Sequence, residues 1–141
     1  MKDLTDILNE WDENDSGIRR VYGNDGIEKM QMKMSSPEGH MKGIMQMNLE
    51  GRPDGIKPYG FDSLLQYYKH KFCTYCQTHG SEKGYKISPK EVDKLLAELN
   101  LYYHRCCFLN SMEPTTTEDI KRMMRDGEFN FQILDFIEKY S

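Results

Sequence analysis

"LEGRPDGIKPYGFDSLLQYY", residues 49–68, changes character at its midpoint. Gly51 and Gly55 bracket Arg52-Pro53-Asp54; the glycines let the backbone bend at both ends and Pro53 fixes φ between them. A second break, Pro58-Tyr59-Gly60, leads into Phe61, Leu64, Leu65, Tyr68 and Phe72, an apolar stripe at helical spacing. The stretch predicts a crossover at residues 51–60 that carries the chain off a sheet and aims a helix, beginning at Phe61, over the sheet's apolar face. Arg52 and Asp54 admit two readings. A rigid loop presents a guanidinium fork to a carboxylate or phosphate, or the two side chains bond nearby backbone and fix the crossing, as Asp and Pro commonly do in turns. The second is the expected one.

Upstream lies a β-meander at residues 17–50. "IRRVYG", "NDG" and "IEKMQMKM" read as strand, primed hairpin turn and strand, with Met30, Met32 and Met34 alternating against Lys29, Gln31 and Lys33. After the turn "SSPEG", Met45, Met47 and Leu49 mark one face of a third strand. Such a sheet needs something to cover its apolar side. Residues 1–16 supply a short helix and link: Leu4, Ile7, Leu8 and Trp11 share a face, Asp3 caps it, and Trp11 anchors it.

Downstream, residues 61–141 are helical. Ser88-Pro89-x-Glu91 is a capping box with proline at the first helical position. Val92, Leu95, Leu96, Leu99, Tyr102, Tyr103 and Cys106 then form an apolar stripe. A second box, Thr115 to Glu118, opens a last helix marked by Ile120, Met123, Met124, Phe131, Leu134 and Ile137. These two helices should pair as an antiparallel hairpin. "LLQYYKHKFC" and "LNLYYHRCCF" echo each other at a shift of 35 residues. The expectation is a single α+β domain: N-terminal helix, three-stranded antiparallel meander, then three helices ending in the hairpin.

The 141 residues carry a formal charge of −4, and the isoelectric point is about 5.6. That balance argues against a general polyanion or membrane-surface binder. No apolar run is long enough to span a bilayer. "MKDLTDILNEWDENDSG" lacks the apolar centre of a signal peptide, so a reducing cytoplasm is expected, with Cys73, Cys76, Cys106 and Cys107 as thiols.

Candidate chemistry is sparse. "CTYCQTH" sets Cys73, Cys76 and His79 at zinc-like spacing, with Cys106 or Cys107 as a fourth ligand. Against zinc or a redox dithiol, Cys76 falls on the apolar stripe with Phe72, and buried thiols acting as small hydrophobes are the better reading. The methionines of "MQMKM" follow from strand alternation rather than soft-metal binding. His104-Arg105, after Tyr102-Tyr103, and Arg125-Asp126 on the next helix are positioned to meet across the hairpin, with Arg105 or Arg125 pairing to Asp126 or Asp119 as a structural ion pair. No Ser-His-Asp order, phosphate-cradling glycine loop or inward carboxylate pair is present, so no enzyme is expected. Arg19, Arg20 and Lys29 are the cations a nucleic-acid contact would use.

"MQMNLEGRPDGIKPYGFDSLLQYY" together with "LYYHRCCFLN" and "EDIKRMMRDGEFNFQILDFIEKY" resembles a family of small bacterial proteins, frequent in planctomycetes, labelled UvrB/UvrC motif-containing. The resemblance spans roughly residues 18–140. Where the family places R-D-T-x-R-N-L, this chain has "RDGEFNF", keeping Arg125, Asp126 and Asn130 and replacing the second arginine with Phe129. Cys106 and Cys107 stand where the family tends to have Tyr and Leu. The resemblance implies a helical protein–protein interaction unit and transfers no activity. The expected function is thus a non-catalytic adaptor without cofactor that docks another protein, self-association left open. The competing readings are a zinc- or thiol-linked regulator and a nucleic-acid-associated protein.

Overall fold

The computed structural model describes residues 3–10, 17–36, 38, 41–112 and 115–141. Helix α1 (Leu4–Glu10) is followed by strands β1 (Ile18–Tyr22), β2 (Glu28–Ser35) and β3 (Lys42–Asn48), a single 3₁₀ turn at Pro58–Gly60, and helices α2 (Leu64–His79), α3 (Pro89–Asn110) and α4 (Thr117–Tyr140). This is the expected α+β order. Asp3 caps α1 as anticipated, its carboxylate accepting from the Asp6 amide at 3.0 Å. Trp11 and its anchoring role lie outside the described residues.

The sheet is antiparallel in the order β1-β2-β3. Met30 sits between Arg20 and Met47, and Met32 between Ile18 and Met45. The β1–β2 turn is not of the primed type. Among the described non-glycine residues only Tyr59 has a positive φ, so Asp25 does not. Gly26 alone takes the left-handed region, at φ 75, while Asp25 holds the bend by accepting from the Ile27 amide at 3.0 Å.

Helix starts are set by hydroxyl caps. Ser63 accepts from the Gln66 amide at 3.0 Å, so α2 begins at Leu64 and not at Phe61. Phe61 stands ahead of the helix, its ring 5.3 Å from that of His70. The box at Ser88 and Glu91 forms as expected. The last helix opens one residue later than its sequence suggested: Thr116 accepts from Asp119, and Asp119 accepts in return from Thr116. The Thr115 hydroxyl instead donates back to the Met112 carbonyl at 2.8 Å.

The core divides in two. Leu64, Leu65 and Tyr68 of α2 bury against Leu95 of α3 and Ile133 and Phe136 of α4, with Ile87 ahead of α3. Met30 and Leu49 of the sheet bury instead against Leu109 and Met112, with Phe108 and Met123 beside them. The methionine face is therefore covered by the end of the α3–α4 hairpin, not by α2. The cover is also partial: Met34 remains 48% exposed. A 22-residue α3 explains the difference, since its length, about 33 Å, carries it from one cluster to the other. The tyrosine pairs of the internal echo bury opposite members, Tyr68 in α2 and Tyr102 in α3, so the two segments present their faces out of phase.

Helices α3 and α4 run antiparallel, bringing Tyr102 to Phe129 with ring centroids 4.3 Å apart. Their buried faces hold more charge than expected. On α3 the inward positions are Leu95, Glu98, Tyr102, Arg105 and Leu109; on α4 they include Asp119, Asp126, Ile133 and Phe136. Leu96, Tyr103, Ile120, Met124, Phe131 and Leu134, assigned to the apolar stripes by sequence, are exposed. Acid–arginine pairing makes this arrangement stable, as the site geometry shows.

Candidate functional site

The crossover loop is gripped from three directions. Pro53 is buried, and its carbonyl accepts from the Asn48 amide at 2.8 Å. Gly55 closes the turn by donating to the Arg52 carbonyl at 2.9 Å, and the Asp54 carboxylate accepts from the Ile56 amide at 3.0 Å. Glycine is favoured at position 55 by its φ of 72, and a Cβ there would stand 2.9 Å from the side-chain Nδ2 of Asn48. Arg105 of α3 donates Nη1 to the carbonyls of Asn48 and Gly51, at 3.0 and 2.7 Å. Its other nitrogens fork onto Asp126 of α4, Nε at 2.9 Å and Nη2 at 2.7 Å. One guanidinium thus joins loop, α3 and α4, with its Cζ 5.1 Å from the centroid of the Tyr102 ring.

Arg52 faces the opposite end of the same cavity. Its Nε lies 3.3 Å from Glu98 and 3.5 Å from Asp54, close enough for ion pairing but not aligned for a hydrogen bond. Glu98 is fully buried in α3. Its two oxygens accept from the first amides of α2, Leu64 at 2.6 Å and Leu65 at 3.0 Å. Burial pushes the Glu98 carboxyl above its ordinary value, with the two amides and Arg52 pulling the other way. A carboxylate at a helix N-terminus is favoured by the helix dipole as well as by the orphan amides.

A third junction fastens the sheet. Arg20 of β1 forks onto Asp119 at the start of α4, Nη1 to Oδ1 at 2.7 Å. Asp119 also accepts from Arg122 at 3.1 Å, and Arg122 reaches Glu50 at 2.7 Å and Glu28 at 3.6 Å. The Arg20 hydrogen bond holds the Asp119 carboxyl well below its ordinary 3.8. Because the folded value is depressed, the stabilisation is complete above the unfolded pKa and is lost as pH falls below it. Acidification from neutrality to below about pH 4 should therefore lower the unfolding free energy, and Asp119→Asn should flatten that limb while lowering stability at neutral pH. Glu98, with its raised value, contributes with the opposite sign, so urea unfolding of Asp119→Asn and Glu98→Gln against pH separates the two.

These junctions surround a cavity of about 270 Å³ lined by Arg52, Arg105, Arg122, Arg125, Ser63 and Tyr102 among others. An anion site needs positive charge left over for a ligand, and here the protein's own carboxylates stand against each arginine. Arg105 is engaged by Asp126, Arg52 faces Glu98, and Arg122 and Arg125 share Glu50. The α2 amides that would greet an anion are taken by Glu98 and Ser63. The arrangement favours the structural reading of Arg52 and Asp54.

The other candidates separate. Tyr103 is 55% exposed on the far side of α3. Cys73 is exposed, Cys76 half-buried, and Cys106 lies on α3 with its thiol 3.9 Å from the Met123 carbonyl. His79 turns back to its own helix, Nδ1 to the Tyr75 carbonyl at 3.0 Å. Among the described residues no group of three His, Cys, Asp or Glu side chains is placed to hold a metal, and burial raises the Cys76 and Cys106 thiols away from the thiolate that zinc or redox chemistry uses. Arg20 is paired to Asp119, Lys29 to Asp25 at 3.0 Å, and Arg19 to Gln31 at 3.1 Å, which ties the nucleic-acid cations into the sheet. Sequence reasoning did not single out Glu98, Arg122 or Glu50, and it set Asp119 against Arg105 or Arg125, whereas the structure pairs it with Arg20 and Arg122. The signal was the 3-4-3-4 spacing of Leu95, Glu98, Tyr102, Arg105 and Leu109, which places a glutamate and an arginine on the inward stripe. Among the described residues no helix is long and apolar enough to cross a membrane. Comparison with protein-family models, with curated proteins and with solved structures finds no match for this chain.

Proposed function

We propose that this chain is a non-catalytic protein-interaction module whose working surface is the outer face of the α3–α4 hairpin. One observation carries the reading. Ile120, Met124, Phe131 and Leu134 recur along one side of α4 at 44 to 70% exposure, with Leu96 and Tyr103 exposed on α3. A helix face that leaves large apolar side chains in water over consecutive turns marks an interaction surface. The resemblance to helical-hairpin interaction proteins is consistent with this, and the carboxylates standing against each arginine of the loop cavity speak against an anionic ligand there.

The test contrasts face and loop. A photo-reactive residue at Phe131 should crosslink a protein partner in extracts of the native host, and the same residue at Asp54 should not. Arg52→Ala should lower stability by about 1–3 kcal/mol, because it leaves the buried Glu98 without its cation, yet crosslinking from position 131 should persist in the folded variant. Crosslinking from Asp54 alone, or an Arg52→Ala protein as stable as its parent that has lost its partner, would move the function to the loop.

A further inference from the structure

The exposed stripe of α4 is symmetric about Gly127. Ile120 and Leu134 stand seven residues to either side of it, with Met124 three before and Phe131 four after. A second copy of the helix laid antiparallel across Gly127 therefore places Ile120 against Leu134 and Met124 against Phe131, each twice. At the crossing point the helix surface is open, since a Cβ built on Gly127 meets nothing within 4 Å. Glycine is a poor helix former, and its use here lets another backbone come close.

Shape and charge point to the same occupant. Beside Met124 lies a hollow of about 500 Å³ walled by Lys121, Arg125 and Glu128, with Glu50 and Glu118 at its edge. Phe131, 70% exposed, projects from the same helix and in an antiparallel copy falls opposite Met124, where a methionine sulfur against an aromatic ring is a favourable contact. On the exposed side of the helix the N-terminal half carries Lys121 and Arg125 beside Glu118, Glu128 lies just past Gly127, and the C-terminal half carries Asp135 and Glu138 ahead of Lys139. Lys121 and Asp135 lie on one flank but 14 residues apart, about 21 Å along the helix, too far to pair within one chain. Among the described residues Lys121 pairs with Glu118, at 3.4 Å and exposed on both sides, a contact of little value. Antiparallel packing brings Lys121 of each copy to Asp135 of the other. Glu128 meets its own copy near the axis, a like-charge contact.

We propose that this chain forms a two-fold dimer through α4, Phe131 of each copy seated in the hollow beside Met124 of the other. The proposal rests on the outer hairpin face being the interaction surface and names its occupant as a second copy, an isologous contact in which one patch serves both sides.

Sedimentation equilibrium of the full chain over a concentration series tests it. The mass should rise from 16.6 kDa towards twice that value as concentration increases. Phe131→Asp should abolish the rise while the variant keeps its helical circular dichroism. Lys121→Glu and Asp135→Lys should each weaken association, and the double swap K121E/D135K should restore it, because both residues then meet opposite charge again in the other copy. Glu128→Gln should strengthen it. A constant mass of 16.6 kDa, a dimer indifferent to Phe131→Asp, or a double swap no better than the single ones would overturn the two-fold geometry. If the parent stays monomeric while the crosslinker at Phe131 captures a different protein, the dimer is wrong and the interaction face stands. If neither occurs, both fall.

Discussion

Arg105→Ala is expected to lower the unfolding free energy by about 3–5 kcal/mol, the usual penalty for removing one partner of a buried ion pair. Arg105 and Asp126 are each about 95% buried and bonded through two parallel contacts. Alanine strands the Asp126 carboxylate in the interior and releases the carbonyls of Asn48 and Gly51 together. Lysine should rescue little, since an ammonium cannot fork onto Asp126 and reach the loop at once. Urea denaturation followed by circular dichroism measures the loss. A destabilisation below about 1 kcal/mol would mean the pair is solvated and the loop is held by other contacts.

Glu98→Ala should have an effect of similar size by a different route. It removes the acceptor for the Leu64 and Leu65 amides and the counter-charge of Arg52 in one step, again about 3–5 kcal/mol for a buried charge left without its partner. Glu98→Gln keeps one acceptor oxygen and should lose less, about 1–3 kcal/mol. Amide exchange separates this from a general loosening. In Glu98→Ala the first turn of α2 should exchange faster relative to the centre of α3, whereas Leu95→Ala should speed both.

What was legible in the sequence follows from how local each signal is. The strand alternation of Met30 and Met32, the Ser88 box and the paired glycines around Arg52 act within a few residues of themselves, and each appears where it was expected. The partner of the methionine face was not legible, because covering it depends on the length and tilt of α3, and Leu109 and Met112 reach it from 60 residues or more along the chain. The α4 stripe misled for a physical reason. Ile120, Met124, Phe131 and Leu134 mark a helix in the sequence, but their apolarity does not say which face is inside. Yet Asp119 and Asp126 could be buried instead, because Arg20 and Arg105 arrive from other elements to neutralise them. The pairing of Arg105 with Asp126 was within reach of the sequence; that of Arg20 with Asp119, across 99 residues, was not.

The inversion on α4, charge inside and apolar side chains outside, is the premise of both the structural and the functional conclusions. Urea unfolding of Phe131→Asp, at concentrations low enough to keep the chain monomeric, tests it most directly. A side chain 70% exposed should tolerate the carboxylate, leaving the unfolding free energy within about 0.5 kcal/mol of the parent as surface substitutions do. A loss of about 3 kcal/mol or more, the size expected for a core aromatic, would place Phe131 inside and contradict the account.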